Sequence, residues 1–100
     1  MASDSLPGAV RQVLTDWADT QPTVLAVHVF GSRARGNALP DSDLDLALEF
    51  AGDDALLQLV VNRSRWKSEL SALTGIEVKD IQLRTDPVVS GPILTICRKV

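Results

Sequence analysis

The stretch from residue 31 to residue 46 carries the residue types that do chemistry. It reads Gly31-Ser32-Arg33-Ala34-Arg35-Gly36 and, after a turn-forming segment, Ser42-Asp43-Leu44-Asp45-Leu46. Gly31 lets a ligand approach the backbone closely. The N–H groups at the start of a short helix, with the Ser32 hydroxyl, form a cradle for phosphate. Arg33 and Arg35 stand beside that cradle as neutralising charges. Asp43 and Asp45 are two residues apart, so on a strand they share a face and lie roughly 6.5–7 Å apart along the chain. Two carboxylates placed so closely resist ionising together. A divalent cation removes the conflict, and Mg²⁺ takes one or two carboxylates plus substrate phosphates. Cradle and carboxylate pair together describe Mg²⁺-assisted phosphoryl or nucleotidyl transfer.

The flanking sequence supplies elements to hold these groups. Val10, Val13, Leu14 and Trp17 fall at i, i+3, i+4 and i+7, which predicts an amphipathic helix over 7–19, started by Ser5 and Pro7. The apolar, β-branched run Val24–Phe30 predicts a strand covered on both faces. Residues 37–42 form a loop, with Pro40 and Asp41 as turn formers. Residues 43–50 alternate with period two: Leu44, Leu46, Leu48 and Phe50 point one way, and Asp43, Asp45, Ala47 and Glu49 the other. Asp53 or Asp54 caps a long helix whose face is marked by Leu56, Leu59, Val60, Arg63, Lys67, Leu70 and Leu73, stopped by Gly75. A third strand is expected over 77–84, then a turn at Asp86-Pro87. Ile93, Ile96, Cys97 and Val100 have helical spacing and predict a short final helix after Pro92. The expected fold is a small α/β (α+β) domain with a three-stranded mixed sheet flanked by helices, in the order α-β-α(short)-β-α-β-α.

Composition narrows the setting. The chain has 100 residues, the size of one domain over 1–100. Hydrophobic residues are 45% and charged residues 23%, enough apolar surface to make disorder a poor description. No apolar run reaches the ~18 residues of a membrane span, and the first five residues lack the pattern of a signal peptide. One cysteine, Cys97, forms neither an internal disulfide nor a cysteine zinc site, so a cytoplasmic setting is expected. The net charge of −3 argues against nucleic acid as a partner. So small a core favours association, with itself or with a partner chain.

Gly31-Ser32, ten residues, then Asp43-x-Asp45, with Ser42 before the first carboxylate, resembles the signature of the minimal nucleotidyltransferases of the DNA polymerase β-like superfamily. The resemblance implies a small nucleotidyltransferase fold, ATP as substrate, and Mg²⁺, with two ions possible, held by the carboxylates. It implies transfer of AMP to an acceptor hydroxyl with release of pyrophosphate. Short bacterial members pair with a helical protein of the HEPN class, acting as antitoxin and modifying the toxin. The family places a third carboxylate on the next strand, and here that strand reads Glu77-Val78-Lys79-Asp80-Ile81-Gln82-Leu83. Ungapped matching puts Lys79 at that position, a shift of one residue puts Asp80 there, and Glu77 is displaced the other way. Asp80 is the favoured third carboxylate, serving as metal ligand and as general base.

Blander readings apply elsewhere. His28 in a buried strand reads as a packing residue, Glu49 as solvated, and Trp17 and Trp66 as core or interface. Cys97 reads as a small core residue, and Arg63-Ser64-Arg65-Trp66-Lys67 as a solvated face or a contact for an acidic partner or a triphosphate. Rival functions are a non-catalytic module that neutralises a helical partner by contact, or a nucleotide-binding subunit of a larger transferase.

Overall fold

The computed structural model describes residues 6–36, 39 and 42–99. Helix α1 runs over Gly8–Asp19, strand β1 over Val24–Phe30, helix α2 over Ser32–Arg35 and strand β2 over Leu44–Phe50. Helix α3 follows over Ala55–Thr74, strand β3 over Val78–Leu83 and strand β4 over Leu94–Arg98. The sheet is mixed and has four strands, not three, in the order β3-β2-β1-β4. β1 is antiparallel to both β2 and β4, and β2 is parallel to β3. The parallel pair is joined by α3, the crossover such a connection requires. The expected caps Ser5 and the turn residues Pro40 and Asp41 lie outside the described residues, as does Val100.

The expected final helix is a strand, and the reason lies in the ladder. β4 pairs Cys97 with Val27 but Thr95 with His28, so Ile96 is an extra residue in a bulge. The bulge turns both Ile96 and Cys97 toward the core, where Leu94 also packs. Ile93 packs on the opposite face, so the spacing 93, 96, 97 that suggests a helix joins residues from the two faces of a bulged strand. The run from Ile93 to Cys97 is rich in β-branched residues and fits the free edge of β1. Lys99 ties the end of this strand back, its Nζ donating to the carbonyls of Ala18 and Gln21 at 2.7 and 2.9 Å, at the C-terminal end of α1.

Alternation puts the apolar side of β2 against the helices. Leu44, Leu46 and Leu48 are fully buried with Val27, Val29, Leu14, Leu59, Leu70 and Ile81. Trp17 and Trp66 meet edge to face with ring centroids 5.4 Å apart, and Phe50 stacks on Trp66 at 5.9 Å, a favourable aromatic geometry. Trp17 Nε1 donates to Glu69 at 2.9 Å, which joins α1 to α3. The buried stripe of α3 is narrower than the expected face: Leu59, Trp66 and Leu70 are inside, whereas Leu56, Val60 and Leu73 are exposed. Asp54 occupies the N-cap position without capping, because its carboxylate accepts from Gln58 Nε2 at 2.7 Å.

The opposite sheet face carries the polar residues of β1 and β2. Phe30 and Ala47 are covered there by Val89 and Ile93 from the β3–β4 connection. Asp86 shapes that connection by accepting from the Val88 N–H at 2.9 Å. His28 is 1% exposed and fully engaged. Its Nδ1 lies 2.9 Å from Thr95 Oγ1, and its Nε2 donates to Glu49 Oε2 at 2.6 Å. Glu49 is therefore not simply solvated: it bridges His28 and Arg98, whose Nη2 donates to it at 2.8 Å. Burial pushes the Glu49 carboxyl up, but hydrogen bonds from Arg98 and His28 outweigh burial and hold it below its ordinary value. A depressed acid stabilises the fold above its unfolded-state value near 4.5, and that contribution is lost as pH falls through the lower folded value. Glu49→Gln is expected to flatten the loss of stability below that pH, as urea unfolding midpoints across an acid series would register.

Candidate functional site

β1 ends at Gly31, whose backbone at φ 76° and ψ −153° is open only to glycine. The chain then turns at once into α2, with the Ala34 and Arg35 N–H groups donating to the Gly31 carbonyl at 3.1 Å. The N–H groups of the first turn are not needed inside so short a helix. Ser32 is half-buried at its start. A Cβ on Gly31 would collide with Asp45 Oδ2, so the turn and the second carboxylate are packed one on the other.

Arg33 and Arg35 separate. Arg35 is exposed, and its charge lowers the Asp45 carboxyl. Arg33 is 3% exposed and turned inward, its Nε and Nη2 donating to the Ser42 carbonyl at 3.2 and 2.7 Å. Ser42 also closes its own turn, with its Oγ accepting from the Leu39 N–H at 2.8 Å. Arg33 thus fixes the residue immediately before Asp43. The guanidinium is turned into the chain, whereas the sequence suggests a charge beside the phosphate cradle. Arg33→Met should cost about 2 kcal/mol in urea unfolding, the order expected when a hydrogen bond to a charged donor is removed.

Asp43 precedes β2 by one residue and Asp45 is its second residue. On the neighbouring parallel strand, Asp80 is the register partner of Asp45. A second bulge sets how Glu77, Lys79 and Asp80 stand relative to Asp45. Leu44 pairs with Val78 but Asp45 with Asp80, so Lys79 is the extra residue. Val78 and Ile81 are consequently both buried, and Asp80 falls beside Asp45. Lys79 is exposed, and Glu77 lies before the strand, its carbonyl accepting from the Leu44 N–H at 2.8 Å. Gln82 Nε2 holds both Asp80 oxygens at 2.9 and 3.0 Å, and Arg63 from α3 reaches Gln82 Oε1 at 3.4 Å. The sequence marks Arg63 as part of a basic run that could meet an acidic partner or a triphosphate, and the spacing of the motif does not point to Gln82.

Electrostatics bind the acidic groups into one unit. The Asp45 carboxyl is raised above its ordinary value, first by burial, then by the Asp80 carboxylate and, more weakly, by Asp43. Lys79 and Arg35 offset part of this. A carboxylate raised by burial and by like charge is the setting a cation relieves. The donor set fits Mg²⁺, which takes few protein carboxylates and completes its shell with water and phosphate oxygens. Among the described residues, no three His, Cys, Asp or Glu side chains lie close enough to hold one ion by themselves. A pocket at the far end of β2, lined by Leu48, Phe50, Leu83 and Arg84 among others, contains none of the candidate residues. No described helix is long and apolar enough to cross a membrane.

The profile of the nucleotidyltransferase domain family matches residues 10–90. Two solved structures share the fold. One is a toxin–antitoxin crystal structure with AMP-PNP, at TM-score 0.67 and 18% identity, covering 89% of this chain and 73% of that one. The other is a candidate nucleotidyltransferase from Sulfolobus solfataricus, at TM-score 0.55 and 18% identity, covering 90% and 78%. No curated protein matches the chain.

Proposed function

Because the chain belongs to the nucleotidyltransferase domain family, we propose that it binds Mg-ATP and transfers AMP to an acceptor hydroxyl on a partner protein. The observation that carries this reading is the register of β2 and β3: Asp45 and Asp80 are partners, and the Gly31 turn lies against Asp45 Oδ2. In this reading the triphosphate lies on the Gly31-Ser32 turn, with Arg35 as counter-charge. Asp43, Asp45 and Asp80 would share the metal, no one ion taking all three, with triphosphate oxygens and water completing the shell. When bound, Mg²⁺ neutralises charge on the triphosphate and on the attacking oxygen. Asp80, steadied by Gln82, accepts the proton of the acceptor hydroxyl. The acceptor oxygen bonds to the α-phosphorus, the bond from that phosphorus to the bridging oxygen breaks, and pyrophosphate leaves.

The fold shared with a toxin–antitoxin protein supports a protein acceptor, with a helical toxin of the HEPN class as the named candidate. The test uses ATP labelled at the α or the γ phosphate, Mg²⁺, and the helical product of an adjacent gene. The α label should appear on the acceptor and the γ label in pyrophosphate. Transfer of the γ label, or α transfer that survives Asp45→Asn unchanged, would overturn the reading.

A second reading is neutralisation of the partner by contact alone. It is favoured by the small size of the chain, whose core favours association with a partner. Under it, Asp45→Asn leaves partner neutralisation intact and the α label never transfers.

A further inference from the structure

Arg63 lies on α3 and reaches β3, the edge strand that carries Asp80. Its one hydrogen bond among the described residues runs from Nη2 to Gln82 Oε1, at 3.4 Å. Its Nε is buried and meets no acceptor, and among the described residues the guanidinium forms no ion pair. A buried donor left unmet is a cost to the fold, so stability does not explain a cation at this place. A reason lies on the far side of Gln82. That residue follows Asp80 by two on the same strand, and its Nε2 donates to both carboxylate oxygens, at 2.9 and 3.0 Å.

An amide has one donating end and one accepting end, and the two neighbours of Gln82 call for opposite ends. An ionised carboxylate only accepts, and a guanidinium only donates. With Arg63 on one side and Asp80 on the other, a single orientation of the amide satisfies both. The reverse orientation would turn Oε1 onto the Asp80 oxygens and the NH2 group onto a cation. Among the described residues, no other donor meets Gln82 Oε1, so Arg63 alone selects the orientation. Its charge also polarises the amide and strengthens Nε2 as a donor. One nitrogen shared by both oxygens fixes the plane of the carboxylate and leaves each oxygen a lone pair directed away from Gln82. Arg63 donates neither to Asp80 nor to the Gly31 turn, so it acts on the carboxylate through the amide.

We propose that Arg63 is a positioning residue for nucleotidyl transfer, holding the Gln82 amide in the one orientation that aims the Asp80 carboxylate. The step it serves rests on the function proposed above, in which Asp80 takes the proton of the acceptor hydroxyl. The hold of Arg63 on Gln82 is itself a property of the ligand-free chain.

Two measurements on the full chain test it, with Arg63→Met, Arg63→Lys, Gln82→Met, and Arg63→Met combined with Gln82→Met. Circular dichroism with thermal melting confirms that each variant is folded. The first measurement needs no nucleotide. The side-chain NH2 pair of Gln82 is assigned in a nitrogen–proton correlation spectrum by its loss in Gln82→Met. Its exchange with solvent should be slow in the wild type, about tenfold faster in Arg63→Met and close to the wild-type rate in Arg63→Lys. The second follows transfer of the α label. In Arg63→Met, kcat should fall about tenfold while KM for Mg-ATP stays within about twofold, because only placement in the transition state is lost. Arg63→Lys should recover most of the rate, and the double variant should be no slower than Gln82→Met alone. NH2 exchange that Arg63→Met leaves unchanged would overturn the proposal; if Asp45→Asn still removes transfer, the reading of the site survives that result. A loss of rate that appears only in KM, or that multiplies in the double variant, would overturn the proposal too. A wild type that transfers no label would overturn the reading of the site and this proposal with it.

Discussion

Asp45→Asn is expected to reduce nucleotidyl transfer by about 10³-fold, some 4 kcal/mol of transition-state stabilisation, while raising the melting temperature of the ligand-free chain. Both effects follow from one placement. Asp45 is packed under the Gly31 turn, partnered by Asp80 and close to Asp43. Its carboxyl is raised by burial first and by those carboxylates next. For an acid whose folded value is raised, the folded state binds protons more readily than the unfolded state. Stability therefore falls as pH rises from the unfolded to the folded value, and the cost persists at neutral pH. Asparagine keeps the shape and removes the charge, so the cost disappears together with the proposed metal ligand. Such an exchange of stability for activity is the expected mark of a functional site. Label transfer and calorimetric melting of the two proteins, side by side, check both halves. A variant that is less stable and equally active would place Asp45 on an ordinary solvated strand face.

Gly31→Ala is expected to cost about 2–3 kcal/mol of stability and to abolish nucleotide binding. Two penalties coincide at this residue. The backbone at φ 76° and ψ −153° lies in a region that side chains do not occupy. An added Cβ would also drive into Asp45 Oδ2, displacing the carboxylate on which the proposed reaction depends. Gly36 is the internal control. It too has positive φ, but at φ 79° and ψ 12° it is in the left-handed helical region that asparagine tolerates. Gly36→Asn should be nearly neutral in the same urea titration. Equal costs at the two glycines would show that turn strain alone, and not contact with Asp45, accounts for the Gly31 penalty.

Much of this arrangement is legible in the sequence. The period-two alternation from Leu44 to Phe50 put the leucines inward and the acids on the opposite face, and β2 is built that way. Gly31 after an apolar run announced the turn. What misled was bulging. Around the bulge at Ile96 the helical spacing 93, 96, 97 joins residues from the two faces of the sheet, and a bulge at Lys79 breaks the alternation of β3, so that Val78 and Ile81 face the core together. Simple alternation would put Val78 on the Asp80 face and Ile81 on the Lys79 face; the bulge brings both inward and leaves Asp80 beside Asp45. Arg33 sits in the motif, where spacing alone suggests a neutralising charge. Its burial against the Ser42 carbonyl depends on a turn nine residues away, a contact that local spacing does not encode. Glu49 likewise gains its partners from β1 and β4, two strands distant in sequence.

The most direct measurement is calorimetric titration of ATP into the purified chain, with and without Mg²⁺, for the wild type and for Asp43→Asn/Asp45→Asn. Binding should require Mg²⁺ and should disappear in the double variant while its fold persists. Binding that is indifferent to Mg²⁺ or unchanged in the double variant would contradict a metal–triphosphate site at the Gly31 turn. No binding by the folded wild type would contradict it equally.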